Sequence, residues 1–455
     1  MKRTNTIKTY IALVIVLFLV IASICPLGSV LAVDSVAASS LLATWQMEQK
    51  STTLDGEKIR STVDTYFDMG YADRMSSSFV SRTALLGTTA SETASAQSWA
   101  QYADALLKYN ILCWQAQGYV PTSYAYVPSY GDAVVAKDGL TATVAVEPIC
   151  DLYFASRSTP DRVGSEKHVL TLQKQNGIWQ IVSDKSDMDS VSYPLGTDFD
   201  ELTKTFPARF AAWKNDQAQL AEQAHAEAAA MKQNGDSRLH LLDPQKGGDA
   251  VSGTALVIPA VSNYVSYDRS RAAQYTYWTN GTSDISPYPQ GWGYNSLFPV
   301  CSNDCMNFAS QVVWFGFGGS NDSTHINSHA FPMITSGSYP WMPGTPEWQT
   351  IMSTDHSFLE MIDANRTNDL IGVQGFSNQT IGGIESGDLI EEITPDTHIM
   401  AVSSTADKHG TPYTTEYDEI YVSAHNGDVF QRSLINYIAD STRVHFVWIC
   451  SLRSS

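Results

Sequence analysis

The chain has 455 residues, of which 43% are apolar, and its formal net charge is −19. That apolar content is enough to build packed cores, which excludes an intrinsically disordered protein, and the length is typical of two or three domains. Because nucleic acids are bound by basic surfaces, the acidic balance excludes a nucleic-acid partner.

Residues 1–32 have the form of a secretory signal peptide. Three basic residues, Lys2, Arg3 and Lys8, precede an apolar run over 11–24. Residues with short side chains follow at the cleavage position, 30–32. We therefore expect a secreted or cell-envelope protein. The alternative is an uncleaved membrane tether, although the apolar run is shorter than the ~20 residues that a membrane span needs.

Residues 39–190 are predicted to form one α+β domain. Apolar residues at helical spacing predict helices over 39–75 and 92–118. Alternating patterns then predict four strands, over 132–138, 140–149, 167–174 and 178–184. Asn176-Gly177 is a strong hairpin signal between the last two. The arrangement resembles the nuclear-transport-factor-2-like (cystatin-like) fold, and we expect a binding or structural role, since His168 is its only histidine.

Residues 198–263 are predicted to connect this domain to a C-terminal one at 264–455. An Ala-, Gln- and Glu-rich segment over 198–234 predicts a helix, and the sequence GGDAVSGTA at 247–255 predicts a flexible linker.

Five cysteines follow the predicted signal peptide, at positions 113, 150, 301, 305 and 450. An exported protein can form disulfides, and Cys113–Cys150 and Cys301–Cys450 are candidate pairs. Because the number is odd, at least one thiol is free or pairs between chains.

The segment SNDCMNFASQVVWFGF, residues 302–317, contains the candidate nucleophile. Apolar residues recur at helical spacing behind Ser302, Asn303 and Asp304, which are good helix caps, so Cys305 is expected in the first turn of a buried helix. Free amide N–H groups and the helix dipole at that position stabilise a thiolate, and we expect the pKa of Cys305 to be lowered. A buried and inert cysteine is the alternative interpretation.

Two downstream histidines are candidates for the rest of a catalytic set. His398 opens a predicted apolar strand, which suits a general base. His425 follows Ser423 on one face of another strand and could orient His398, with Asn426 as a substitute. Each could instead be a structural histidine at a strand edge or turn.

The order of these segments resembles the putative amidase domain of secreted bacterial proteins, a papain-like relative of NlpC-type cell-wall peptidases. The resemblance covers roughly residues 264–440 and rests on four segments: YDRSRAAQYTYW at 267–278, the nucleophile segment, Gly387-Asp388 with HIMAV at 398–402, and Ser423-Ala424-His425. In the nucleophile segment the matching residues are Asp304, Cys305, Asn307, Phe308, Ala309, Ser310 and Gln311. Met306 and Ile399 depart from the family pattern, which often has Thr and Ser there.

The resemblance implies an α+β protein with a C-terminal cysteine amidase that acts on peptidoglycan or other cell-envelope peptides. Cys305, His398 and His425 would be catalytic, and Asp304, Asn307, Gln311 and Asn426 would support them. No metal or organic cofactor is expected, because the histidine pair His325 and His329 lacks the glutamate of a zinc peptidase. Two alternatives remain: a non-catalytic envelope-binding protein, or an interaction protein in which Cys305 forms a structural disulfide.

Overall fold

A computed structural model describes residues 35–76, 79–87, 99–164, 166–186, 193–234, 263–277, 295, 297–299, 304–351, 357–393, 397–408, 416–425 and 429–454. The predicted signal peptide, the linker at 247–255, Cys301 and Asn426 lie outside these residues. Contacts along the chain divide it into two units, Met1–Lys58 and Ile59–Ser455.

The α-helices in the described residues are α1 (Ser35–Met75), α2 (Trp99–Ala116), α3 (Phe199–Asn234), α4 (Arg269–Tyr275), α5 (Cys305–Gly316), α6 (Ser323–Asn327), α7 (Pro346–Gln349), α8 (Phe358–Asn368) and α9 (Leu434–Tyr437). The strands are β1 (Ser123–Tyr126), β2 (Ser129–Tyr130), β3 (Val134–Val135), β4 (Thr141–Glu147), β5 (Cys150–Tyr153), β6 (Asp161–Val163), β7 (His168–Gln175), β8 (Ile178–Ser186), β9 (Tyr264–Ser266), β10 (Gly372–Gln379), β11 (Leu389–Glu392), β12 (His398–Thr405), β13 (Ile420–Ala424), β14 (Val429–Ser433) and β15 (Val444–Arg453).

The N-terminal strands form two antiparallel sheets, one in the order β2-β4-β7-β8 with β3 beside β4, the other in the order β1-β5-β6. β7 and β8 meet at the predicted hairpin, where Asn176 and Gly177 both have positive φ, the backbone that a tight two-residue turn requires. Sequence patterns missed β1, β2, β5 and β6, which are short strands of two to four residues.

The C-terminal sheet is antiparallel, in the order β10-β15-β11-β12-β13-β14 with β9 beside β15. Alternate residues of its strands belong to two different hydrophobic clusters. Ile399 and Ala401 of β12 pack with α5, whereas Met400 and Val402 pack in the cluster that also holds the N-terminal core. Both faces of this sheet are therefore covered, one by α5 and the other by the N-terminal layer.

Polar contacts join the N-terminal layer to the C-terminal sheet. The Trp114 indole donates to the Ile435 carbonyl at 2.7 Å, and the Tyr109 hydroxyl donates to the Asp440 carboxylate at 2.6 Å. Arg157 forms a buried ion pair with Asp418. These contacts span more than 250 residues of chain, so the two halves form one compact unit from Ile59 to Ser455.

The predicted α+β class is confirmed, while the nuclear-transport-factor-2-like and papain-like folds and the domain boundaries stay predictions. In the part of the chain that the structure describes, no helix is both long and apolar enough to cross a membrane. Cys113, Cys150 and Cys305 are free thiols, so the candidate Cys113–Cys150 disulfide is not formed. A Cys305–Cys450 bridge is absent as well.

Candidate active site

Cys305 is the first residue of α5, as the capping residues before it predicted. All twelve residues of this helix are buried, and Cys305 itself is 5% exposed. Asp304 occupies the N-cap position, yet its side chain makes no capping hydrogen bond to the helix. The thiol is therefore at a helix N-terminus, but at one enclosed by protein.

Burial is the dominant influence on the Cys305 thiol and raises its pKa above the usual value. The amide N–H groups of Ile399 and Met306 lower the pKa of the thiol, and the Asp304 carboxylate raises it again. The expected lowering of the Cys305 pKa is therefore wrong for this structure. The helix-terminus effect is present, but desolvation outweighs it.

Asp304 instead links α5 to the end of β13. Its Oδ2 is hydrogen-bonded to His425 Nδ1, and its Oδ1 accepts from Asn307 Nδ2 at 2.7 Å. The His425 ring also packs on Phe308, with ring centroids 4.4 Å apart. Asn307 in turn accepts from the Trp348 indole at 2.9 Å, so both oxygens of the carboxylate enter a buried network that fixes the start of α5.

His398 is the first residue of β12 and pairs in register with Glu392 of β11. It is 6% exposed, and its Nε2 has no hydrogen-bond partner among the described residues. Burial lowers the pKa of His398 to about 4, so the ring is neutral at neutral pH.

The structure does not join the two histidines. Alternation along β12 directs His398 to the same side as Met400, whereas Ile399 faces α5. Within the described residues, His398 makes no hydrogen bond to His425 or to the Cys305 thiol. His425 is held by Asp304, on the α5 side of the sheet.

Tyr437, at the end of α9, is a site residue that the sequence patterns did not indicate. Its ring centroid lies 6.4 Å from that of His398, and its buried hydroxyl has no partner among the described residues. Burial raises the pKa of Tyr437 well above its usual value; the Glu392 carboxylate raises it further, and a charge on Cys305 would do the same. Tyr437 thus connects the surroundings of His398 and Cys305.

Comparison with known families identifies the region that contains these residues. A family model described as "Putative amidase domain" matches residues 266–449, which is less than half of the chain. Residues 266–449 are therefore similar to the putative amidase domain, and this region is named the amidase domain after that match. No curated protein matches the chain.

Several motif residues of the amidase domain are structural. Arg269 forms ion pairs with Asp388 and Glu385, both at 2.6 Å, and donates to the Ile449 carbonyl at 2.8 Å. Asp388 is fully buried and also accepts from the Ile449 amide at 2.8 Å. The Gly-Asp motif thus ties β11 to β15 and to α4. Gly387 has φ of 86°, which favours glycine.

Two predicted supporting residues have similar roles. Gln311 accepts from the buried Tyr275 hydroxyl at 2.6 Å, which joins α5 to α4. Asn307 connects Asp304 to α7 through Trp348. Both side chains fix the position of α5.

Proposed function

We propose that the amidase domain hydrolyses amide bonds with Cys305 as nucleophile and His398 as proton acceptor. One observation supports the assignment: the Ile399 amide is among the backbone N–H groups that act on the Cys305 thiol, so the thiol lies close to the peptide unit that joins His398 to Ile399. Tyr437 supports the same grouping, because it contacts the His398 ring and its pKa responds to the charge of Cys305.

The reaction needs only these protein groups and water. The neutral His398 ring turns toward the thiol and takes its proton as the sulfur attacks the substrate carbonyl carbon. The tetrahedral intermediate collapses, the C–N bond breaks, and His398 returns the proton to the leaving amine. Water, deprotonated by His398, then cleaves the thioester and releases the carboxylic acid and the free thiol.

The start of α5 supplies donors for the oxyanion. The amide N–H groups of Cys305 and Met306 stabilise the thiolate, so in the proposed reaction they would donate to the oxygen of the attacked carbonyl. The unpartnered Tyr437 hydroxyl is a further donor. His425, held by Asp304, positions the helix turn from which these amides project.

The proposed substrates are peptidoglycan stem peptides or other cell-envelope peptides. This part rests on the resemblance to secreted cell-wall amidases and on the predicted signal peptide. The negative net charge favours a solvated extracellular location and disfavours binding to an anionic polymer.

Cys305→Ala tests the nucleophile. We expect purified wild-type protein to release amines from peptidoglycan peptides, and the variant to lose at least about 10³-fold in rate, because the covalent step disappears. Cys450→Ala is the matched control and should keep full activity. Equal rates for wild type and Cys305→Ala would exclude Cys305. Binding of the peptides without turnover by either protein would favour the non-catalytic alternative.

Separate His398→Ala and His425→Ala variants test the base. Loss of a positioned general base costs about 10²–10⁴-fold in rate, and we expect that loss for His398→Ala. His425→Ala should lower activity less and should keep the pH profile of the wild type. The reverse pattern would transfer the role of base to His425, whose Nδ1 is already bound by a carboxylate.

A further inference from the structure

A cavity of about 730 Å³ lies in the N-terminal layer, away from Cys305. Its walls come from the C-terminal half of α1, from α2, and from β7 and β8. Aromatic side chains form much of the lining, among them Tyr66, Phe67, Trp99, Tyr102 and Trp114. This volume is within the usual range for small-molecule sites.

Arg74 is the unusual group in this wall. Its guanidinium lies 4.2 Å from the Trp114 ring centroid and 5.1 Å from that of Tyr71. The Nε and Nη1 atoms are buried and have no hydrogen-bond partner within the part of the chain that the structure describes. A guanidinium is always charged, and burying its donors without partners costs free energy. An anionic ligand bound at this wall would supply the missing partner.

His168 and Arg82, two other cations of the lining, already have partners. His168 Nδ1 is 2.8 Å from Asp184 Oδ1, and its Nε2 is 3.8 Å from Glu166. These carboxylates raise the pKa of His168 to about 10, against the lowering by burial, so the ring is a cation. Arg82 lies over the Tyr66 ring at 4.3 Å and donates to the Ala103 carbonyl.

The lining therefore has more cations than anions, in a chain whose net charge is −19. The cationic residues of the lining are Arg74, Arg82, His168 and Lys185, and the anionic ones are Glu166 and Asp184. The two carboxylates would repel a second negative charge on a ligand, which favours a monoanion. The planar guanidinium matches a carboxylate in two-point geometry, and the aromatic walls suit an apolar body.

We propose that this cavity binds a small monocarboxylate with an aromatic or aliphatic body, whose carboxylate pairs with Arg74. The site is independent of the amidase chemistry, because none of its lining residues is Cys305, His398 or His425.

Calorimetric titration of the full-length protein tests the proposal with 3-phenylpropionate, hexanoate and indole-3-acetate, each at up to millimolar concentration. The neutral amide of each acid and inorganic phosphate are the comparison ligands. We expect at least one acid to bind about tenfold or more tightly than its amide, since the amide lacks the charge that pairs with Arg74. Equal binding of acid and amide, tighter binding of phosphate, or no binding of any acid would overturn the proposal.

Arg74→Gln should weaken the acid about tenfold and remove the preference over the amide. Arg162→Gln, which breaks an exposed ion pair with Asp151 outside the cavity, should leave the affinity unchanged. Unchanged acid binding by folded Arg74→Gln would also overturn the assignment. If Arg74→Gln does not fold, the comparison of acid with amide on the wild-type protein decides.

Discussion

At Cys305, two effects act on one sulfur in opposite directions. Amide N–H groups stabilise the thiolate, but the enclosure of the helix start and the adjacent Asp304 carboxylate favour the thiol. His398 is uncharged as well, so the proposed nucleophile and the proposed base are both neutral at rest. Substrate binding would then have to assemble the reactive geometry.

Asp304→Asn removes the negative charge beside the thiol, so we expect the pKa of Cys305 to fall. The pH dependence of iodoacetamide labelling of Cys305 would shift to lower pH. Asp322→Asn, at the N-cap of α6, makes the same charge change at another helix start and should leave the labelling profile unmoved. An upward or absent shift for Asp304→Asn would contradict the electrostatic account.

His398 should make the protein less stable in acid. Its pKa is about 4 in the folded state and about 6.5 when unfolded, so the unfolded chain binds the proton first. The stability contribution is present above about pH 6.5 and is lost as pH falls toward 4, by on the order of 3 kcal/mol. Urea unfolding of wild type and His398→Gln at about pH 6.5 and about pH 4 should show a free energy of unfolding that depends less on pH in the variant.

At the scale of elements, the amidase sheet depends on a buried ionic junction. Arg269 reaches from α4 to β11, β15 and the turn before β11, and it neutralises the fully buried Asp388. Arg269 is in the opening segment of the amidase motif and Asp388 is in its Gly-Asp pair. Their ion pair explains why the motif contains both residues although they are far apart in the chain.

Arg269→Ala should destabilise the protein by about 3 kcal/mol, because it leaves the Asp388 charge buried and unpaired. Arg162→Ala serves as the control, since its ion pair with Asp151 is exposed, and we expect little change. Chemical denaturation of both variants gives the comparison. Similar losses for the two would mean that Asp388 is neutral or solvated in the folded protein.

Local patterns predicted those features that neighbouring residues determine. The capping residues gave the start of α5, Asn176-Gly177 gave the β7–β8 hairpin, and the apolar run after His398 gave β12. The pairing of His425 with Asp304 could not be predicted, because it depends on how the end of β13 meets α5 across 121 residues of chain. Tyr437 has no local signature either, since its role follows from where α9 packs.

The pKa of Cys305 is another property that local sequence patterns could not predict. The sequence indicates a helix N-terminus, which lowers a thiol pKa, but it does not reveal how completely other elements cover that terminus. Burial is a tertiary property, and here it decides the direction of the shift.

At the scale of the whole molecule, the N-terminal layer is part of the support of the amidase sheet. One face of that sheet packs in the same hydrophobic cluster as the N-terminal core. Asp440 is a polar centre of this contact, since its carboxylate accepts from Tyr109 at 2.6 Å and from Arg209 at 3.0 Å.

We therefore expect residues 59–455 to unfold in one cooperative transition. Asp440→Ala should lower the stability of the whole unit by about 3 kcal/mol, because Arg209 and Tyr109 lose a buried partner. Asp216→Ala, at an exposed position of α3, should have little effect. Circular dichroism and tryptophan fluorescence would report the same midpoint, whereas two separate transitions would show that the layers fold independently.

The enclosure of Cys305 also has a redox consequence. Oxidants react with thiolates that they can reach, and Cys305 is 5% exposed, while burial raises the pKa of its thiol. In the secreted setting that residues 1–32 predict, no cytosolic reductant would restore an oxidised Cys305. The same burial that suppresses the thiolate at rest would therefore protect Cys305 from sulfenic acid formation and from mixed disulfides until a substrate arrives.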